Sequence, residues 1–104
     1  MITIETARLI ALSMPDTEER DHFGRPSFRA NNRIFSTLWI PQKRMMVKLS
    51  LIDQSVFHSF NPAVFYPVPN KWGLGGATFV ELDFVREDML TDALRCAYTL
   101  ANSK

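Results

Sequence analysis

Cys96 is the chain's one cysteine, so no disulfide can close within it. The expected compartment is a reducing one, with the cytoplasm as default. Only two histidines occur, His22 and His58, far apart and on different predicted elements, which leaves no cluster of ligands for a metal. No stretch approaches the roughly 20 apolar residues of a membrane-spanning helix. Met1 to Glu5 lacks the charged start and apolar block of a signal peptide. Repeats, low-complexity tracts and linkers are missing as well. With a net charge of +1, the chain has no global field of either sign.

What is present suits one globular domain spanning residues 1–104, with 46% hydrophobic and 22% charged residues, enough apolar side chain to offset chain entropy. Thr3 can cap a first helix running to Ser13, in which Ile4, Ala7, Ile10 or Ala11, and Met14 recur at helical spacing. Pro15 ends it, because the residue before a proline is pushed out of the helical region. Strands follow at Glu18–Phe23, Ser27–Ala30 and Arg33–Ile40. Gly24-Arg25-Pro26 separates the first two, and Asn31-Asn32 suits a two-residue hairpin turn because asparagine tolerates positive φ. Pro41-Gln42-Lys43 makes the next turn and Met45–Leu49 the next strand. Short strands joined by tight turns must be antiparallel.

Ser50 and Asp53 stand at capping-box spacing and open a second helix, on which Val56, Phe57 and Phe60 share one apolar face. The prolines confine Phe65–Pro69 to an edge strand or loop, and Trp72–Gly76 reads as a glycine-rich loop. Ala77–Val85 is the clearest strand: Thr78, Val80, Leu82 and Phe84 point one way, Glu81 and Asp83 the other. A last helix, Arg86–Ala101, has Glu87 and Asp88 in its first turn, where the dipole favours acids. Its apolar stripe runs through Met89 or Leu90, Ala93 or Leu94, Ala97, and Leu100 or Ala101. The predicted order is α-β-β-β-β-α-(β)-β-α. Three helices segregated from an antiparallel sheet of five or six strands make a two-layer α+β domain.

Catalytic and cofactor chemistry finds little support, so the expectation is a protein that is not an enzyme and uses no cofactor. Cys96 lies beside the core stripe of the last helix, a place for a structural thiol rather than a nucleophile. No serine sits in a G-x-S-x-G turn. The acid pairs Glu18-Glu19 and Glu87-Asp88 are sequence neighbours, which face apart on a strand and serve the dipole at a helix start. Gly73-Leu74-Gly75-Gly76 leads into a strand with no G-K-[ST] after it, whereas a phosphate loop leads into a helix.

The charge distribution is uneven. From Arg20 to Lys71, eight basic residues face only Asp21 and Asp53, a local surplus of six between acidic flanks. Arg25, Arg29, Arg33, Lys43, Arg44, Lys48 and Lys71 fall in or beside predicted turns, interleaved with Phe28, Phe35, Trp39 and Trp72. Cations at hairpin turns suit phosphate contacts, which need charge and reach rather than a special motif. The competing explanation is the wet side of a half-buried sheet, with arginines opposite core phenylalanines.

Five segments add a resemblance. His22-Phe23-Gly24-Arg25-Pro26-Ser27-Phe28-Arg29, Arg33-Ile34-Phe35-Ser36-Thr37-Leu38-Trp39, Val47-Lys48-Leu49-Ser50, Phe65-Tyr66-Pro67-Val68-Pro69 and Thr78-Phe79-Val80-Glu81-Leu82 resemble, in order, the MmcQ/YjbR family. The resemblance implies a compact α+β fold similar to frataxin-like and secretion-chaperone-like domains. It also implies DNA binding by protruding hairpins described as a double wing. It puts Arg25, Arg29, Lys48, Lys71 and Trp72 at motif positions; Arg33, Lys43 and Arg44 are added for their place at turns. One departure is Ala77, where many relatives carry tryptophan. Frataxins use an acidic ridge beginning on the first helix, and here that helix offers only Glu5, so an iron-binding role does not carry over.

Three expectations follow. The first is low-specificity binding to double-stranded DNA through the eight residues Arg25, Arg29, Arg33, Lys43, Arg44, Lys48, Lys71 and Trp72. The alternative is a protein- or peptide-interaction module with a secretion-chaperone-like fold and no nucleic-acid partner, resting on Phe65, Tyr66 and Val68 and able to dimerise through a sheet edge. The third is a small-ligand pocket under Trp72–Gly76. No membrane or metal partner is expected.

Overall fold

Two tight turns with both central residues at positive φ fold the first three strands into a meander. Phe23 and Gly24 lie at 55° and 82°, Asn31 and Asn32 at 55° and 61°. These are the turns whose twist matches paired strands. The computed structural model describes residues 1–103. Its elements are α1 (Ile4–Leu12), β1 (Glu18–His22), β2 (Arg25–Ala30), β3 (Arg33–Trp39), β4 (Arg44–Lys48), α2 (Leu51–Phe60), β5 (Phe65–Pro67), α3 (Lys71–Leu74), β6 (Ala77–Glu81) and α4 (Glu87–Asn102). The strands form one antiparallel sheet in the order β1-β2-β3-β4-β6-β5. This is the two-layer α+β class expected. Among the described residues, no helix is long and apolar enough to cross a membrane.

The predicted caps form. The Thr3 hydroxyl accepts from the Thr6 amide and the Ser50 hydroxyl from the Asp53 amide, at 3.0 and 3.1 Å. Leu90, Ala93, Leu94, Ala97 and Ala101 turn inward from α4, and Ala7 and Ala11 from α1. They meet Phe28, Leu38, Met45, Val47 and Val80 of the sheet. Small helix residues opposite large sheet residues allow close approach without voids. Phe35 is the extra residue of a bulge, since Phe28 pairs with Ser36 but Arg29 pairs with Ile34. Its ring meets Tyr98 of α4 edge-on at 5.7 Å.

Four expectations need correction. First, β2 begins at Arg25 rather than Ser27 and contains Pro26. In a two-residue hairpin closed by His22 and Arg25, the next pair, Asp21 and Pro26, exchanges no ladder bonds, and pairing to β3 starts only at Ser27. The proline therefore interrupts nothing. Second, Trp72–Gly76 is not all loop: α3 takes up Lys71–Leu74, leaving Gly75 and Gly76 in a turn, and raises the helix count to four. Asn70 accepts from the Trp72 amide, and Gly73 is glycine because a Cβ there would lie 1.9 Å from the Val68 carbonyl oxygen.

Third, the last strand stops at Glu81. The amides of Phe84 and Val85 both donate to the Glu81 carbonyl, forming a turn that breaks the alternation. Phe84 is consequently 72% exposed, and Val85 takes the buried place. Fourth, of the apolar face predicted on α2, only Phe57 is buried, against Phe65 of β5. Val56 and Phe60 are 60% and 63% exposed. The buried companion is instead Gln54, whose amide donates to the carbonyls of Gly73 and Ala77 and ties α2 to α3 and β6.

Two backbone positions give opposite predictions. Phe23 holds the left-handed region with its ring 89% exposed, so the strain is offset by little burial. Phe23→Asn should stabilise the fold by about 1 kcal/mol and raise Tm by about 4–8 °C; an unchanged Tm in thermal circular dichroism would refute the strain. Gly76 lies at φ 109°, and a Cβ there would sit 1.9 Å from the Leu49 carbonyl oxygen. Gly76→Ala should lose at least about 2 kcal/mol in denaturant unfolding.

Candidate functional site

Directly opposed residues of an antiparallel pair share a face, so the register sorts the sheet into two sides. Leu38, Met45, Val80 and Phe65 form one cross-strand row, facing the helices. The other side carries the row Trp39, Arg44, Glu81 and the row Ser27, Thr37, Met46, Phe79, Tyr66. Arg25 and Arg29 stand on this same side of β2, and Lys48 on this side of β4. On the first side Phe57 of α2 meets Phe65 and the α1 and α4 alanines meet the core, while the C-terminal end of α4 also reaches Arg29 and Lys48 at the rim of the sheet. The middle of the second side, from Trp39 to Tyr66, is packed by its own side chains.

Those side chains form an alternating row of cations and rings. The Arg25 guanidinium lies 3.5 Å from the Trp39 ring centre. The Arg44 guanidinium lies 5.3 Å from Trp39 and 3.9 Å from Phe79. Trp39 and Phe79 meet edge-on at 4.8 Å, and the Trp39 indole N–H donates to the Thr37 hydroxyl at 3.0 Å. Arginine suits this work better than lysine, because a flat guanidinium stacks on a ring while its N–H edges stay available.

At the β5 side Arg44 donates to the Tyr66 hydroxyl at 3.2 Å, and that hydroxyl donates to the Glu81 carboxylate. Burial pushes the Tyr66 phenol above its ordinary 10.0, the Glu81 hydrogen bond reinforces the shift, and Arg44 opposes it. Phe79 and Glu81 were not singled out as site residues in the sequence, and Tyr66 only for the protein-interaction alternative. The usable signal was period-2 parity: Phe79 and Glu81 alternate with the buried Thr78 and Val80.

The eight expected residues divide between the face and its ends. Arg25 and Arg44 open β2 and β4 and belong to the stacked row, with Lys43 in the adjoining turn at φ 54°. At the opposite end, where β4 parts from β3 beyond the Ser36–Val47 pair, an open concavity of about 590 Å³ is lined by Arg29, Arg33, Ile34 and Lys48, with Leu100 and Ala101 of α4. Arg33 also donates to the Ala101 carbonyl at 3.3 Å. Lys48 additionally lines a second concavity of about 610 Å³ with Asn70, Lys71, Trp72 and Gly75. Trp72 is 68% exposed there. Ala77, opposite Lys48, is buried and gives its carbonyl to Gln54 and Val68. Of the interleaved aromatics, Phe28 and Phe35 are core, whereas Trp39 and Trp72 are not.

The pairing of charges separates the set from the other arginines among the described residues. Arg8, Arg20, Arg86 and Arg95 are each within 4 Å of a carboxylate. Among the described residues, none of Arg25, Arg29, Arg33, Lys43, Arg44, Lys48 and Lys71 is ion-paired, and the buried Nε atoms of Arg29 and Arg44 have no hydrogen-bond partner.

Elsewhere, His58 makes a 2.8 Å ring hydrogen bond with the Phe65 carbonyl. Among the described residues, no three His, Cys, Asp or Glu side chains group to hold a metal. Burial pushes the half-buried Cys96 thiol up, and the Asp53 and Asp92 carboxylates push it further against Arg95.

The model of the YjbR family matches residues 12–100. A crystal structure of the Deinococcus radiodurans protein DR2400, described as having a DUF419 domain, superposes with a TM-score of 0.85 at 21% identity. The match covers the whole of this chain and 81% of that one, and it concerns the fold. No curated protein matches the sequence.

The titrations give two predictions. A folded-state Tyr66 pKa above the unfolded value means the native state holds that proton more tightly. Its contribution is complete below about pH 10 and is lost as pH rises through the folded pKa. Between about pH 9 and 11, stability from denaturant unfolding should fall more steeply for the native sequence than for Tyr66→Phe; parallel curves would contradict the shift. Cys96 should react with iodoacetamide at about pH 8 more slowly than glutathione does, because fewer of its thiols are ionised.

Proposed function

This chain belongs to the YjbR family, and from that premise we propose that it is a non-enzymatic module that binds DNA with little sequence preference. The contacts are to phosphates, made by Arg29, Arg33, Lys48 and Lys71 along the two concavities that share Lys48, with Trp72 beside them. The observation that carries the reading is the split in charge pairing: four arginines elsewhere are neutralised internally, while the seven cations of this set are left for an external anion. A backbone contact requires charge and reach and carries no sequence information, which matches a site built from point cations without a groove-reading helix.

A second reading, a protein-interaction module, has one observation in its favour. Ile52, Val56 and Phe60 stand four residues apart on α2 and are all exposed. The sheet edges argue against dimerisation by strand addition: β1 is charged at four of its five positions, Glu18, Glu19, Arg20 and Asp21, and β5 is three residues long and ends in proline.

Fluorescence anisotropy with a labelled duplex of about 20 base pairs tests the DNA reading. Four neutralised phosphates predict a log–log salt slope of about −3.6. Lys48→Glu, at an exposed position, should flatten the slope by about 1 or more with Tm unchanged. Absence of binding at about 20 mM salt would sink the reading, and a concentration-dependent mass in sedimentation would favour the second.

A further inference from the structure

The proposal above uses the cations at one end of the sheet face and leaves the stacked row at the other end without a role. We propose that this row binds the unpaired bases of single-stranded nucleic acid, so that the face as a whole prefers single strands to duplex. The inference rests on the phosphate-binding reading and adds the part of the ligand that the rings and guanidinium planes contact.

The row has an open end and a closed one. Its closed end is at Tyr66 and Glu81, where a carboxylate would repel phosphate. Its open end is at Arg25, whose guanidinium is stacked on Trp39 at 3.5 Å. Arg25 pairs across the hairpin with His22, and the His22 ring meets the Phe23 ring edge-on at 4.7 Å. Phe23, 89% exposed at the tip, presents its ring to solvent from a strained left-handed backbone. Strain of this kind persists where the rest of the structure compensates and is concentrated at functional sites.

A nucleobase is a flat π system that stacks on aromatic rings and on guanidinium planes, and such stacking tolerates every base. In a duplex the bases are already stacked on each other. A broad sheet face cannot enter a groove as a helix or two-stranded ribbon can. Only an unpaired strand can lay its bases against Arg25 and Phe23 while its phosphates reach Arg29 and Lys48. Arg25 and Arg29 are four residues apart on β2, roughly 13 Å, which gives the backbone and the bases separate lanes on one face. Arg25, Arg29 and Lys48, without ion pairs on this face, match the charge of the strand; Glu18, opposite Arg29, is held by Arg20 at 2.9 Å, and Glu81 keeps the phosphates away from the closed end.

Anisotropy titrations with oligo-dT and oligo-U of about 20 nucleotides, alongside a duplex of matched length in the same salt, test this on the full chain. Either single strand should bind at least about fivefold more tightly than the duplex. Arg25→Lys keeps the charge and removes the plane, and Phe23→Asn removes the ring from an exposed turn that suits asparagine. Each should weaken single-strand binding about fivefold or more and leave duplex affinity and the salt slope unchanged, with Tm confirming the fold. Equal affinity for single strand and duplex, or variants that bind single strands as the parent does, would overturn the inference and leave the phosphate reading intact. Loss of binding to all three probes at low salt would remove both.

Discussion

A sheet whose hydrophobic core lies on one side must keep its other side packed and yet wettable, and the arginine–aromatic row is how this chain does so. Phe79 is almost fully buried although it faces away from α1, α2 and α4. It is sealed by Trp39 at its edge, by Tyr66 across the strand and by the Arg44 guanidinium 3.9 Å above it. The stems and planes of Arg25 and Arg44 exclude water from apolar surface while their charges remain at the boundary. Replacing those arginines with apolar residues would preserve the packing and create a greasy sheet face, which is an aggregation hazard. Replacing them with lysine would keep the charge and lose the planar cover. The face therefore demands both properties at once.

That demand fixes much of the surrounding chemistry. Arginines used as lids cannot also turn aside to acidic partners, so their charges stay unpaired. Glu81 is the one acid in the Trp39–Arg44–Glu81 row, and it accepts from the Tyr66 hydroxyl rather than forming an ion pair with Arg44. The same limit explains why ion pairs gather at α1, β1 and α4, where Arg8, Arg20, Arg86 and Arg95 have no ring to cover. Exposed ion pairs are worth little to stability, so leaving seven cations without them sacrifices little in folding free energy.

Most of the architecture was legible because it rests on local rules. Thr3 and Ser50 cap helices through side-chain chemistry, Asn31-Asn32 tolerate the backbone their turn requires, and the α4 stripe has the helical period. The failures came where packing between elements, or a turn, overruled the pattern of residue types. The glycines of Trp72–Gly76 suggested flexibility, yet Gly73 and Gly76 are small because the Val68 and Leu49 carbonyls press on them. Phe84 continued an alternating pattern after Glu81 had already turned the chain. Val56 and Phe60 looked like core because hydrophobicity does not reveal which side of α2 meets β5. The basic residues were visible as a set, but their division between a stacked row and two concavities depends on strand register, which the hairpin turns fix for β1 to β3 and tertiary packing fixes for β6 and β5.

Register also resolves how a chain of net charge +1 can attract a polyanion. Charge here is sorted by element: the acids gather in the helices and in the edge strand β1, the cations in the middle of the sheet. Helices α1, α2 and α4 carry five acids, Glu5, Asp53, Glu87, Asp88 and Asp92, against Arg8 and Arg95. Strands β2, β3 and β4 carry Arg25, Arg29, Arg33, Arg44 and Lys48 with no acid among them. Viewed from any distance beyond the Debye length, about 8 Å at physiological salt, these fields cancel and the protein is nearly neutral. Within it, an approaching phosphate chain is turned toward β2, β3 and β4 and away from the helices and β1. A molecule built this way orients its partner at short range without holding polyanions from afar. The strand order that sets β2, β3 and β4 side by side is thus also what gathers the cations, with most of the acids left to the edge strand β1 and the helices.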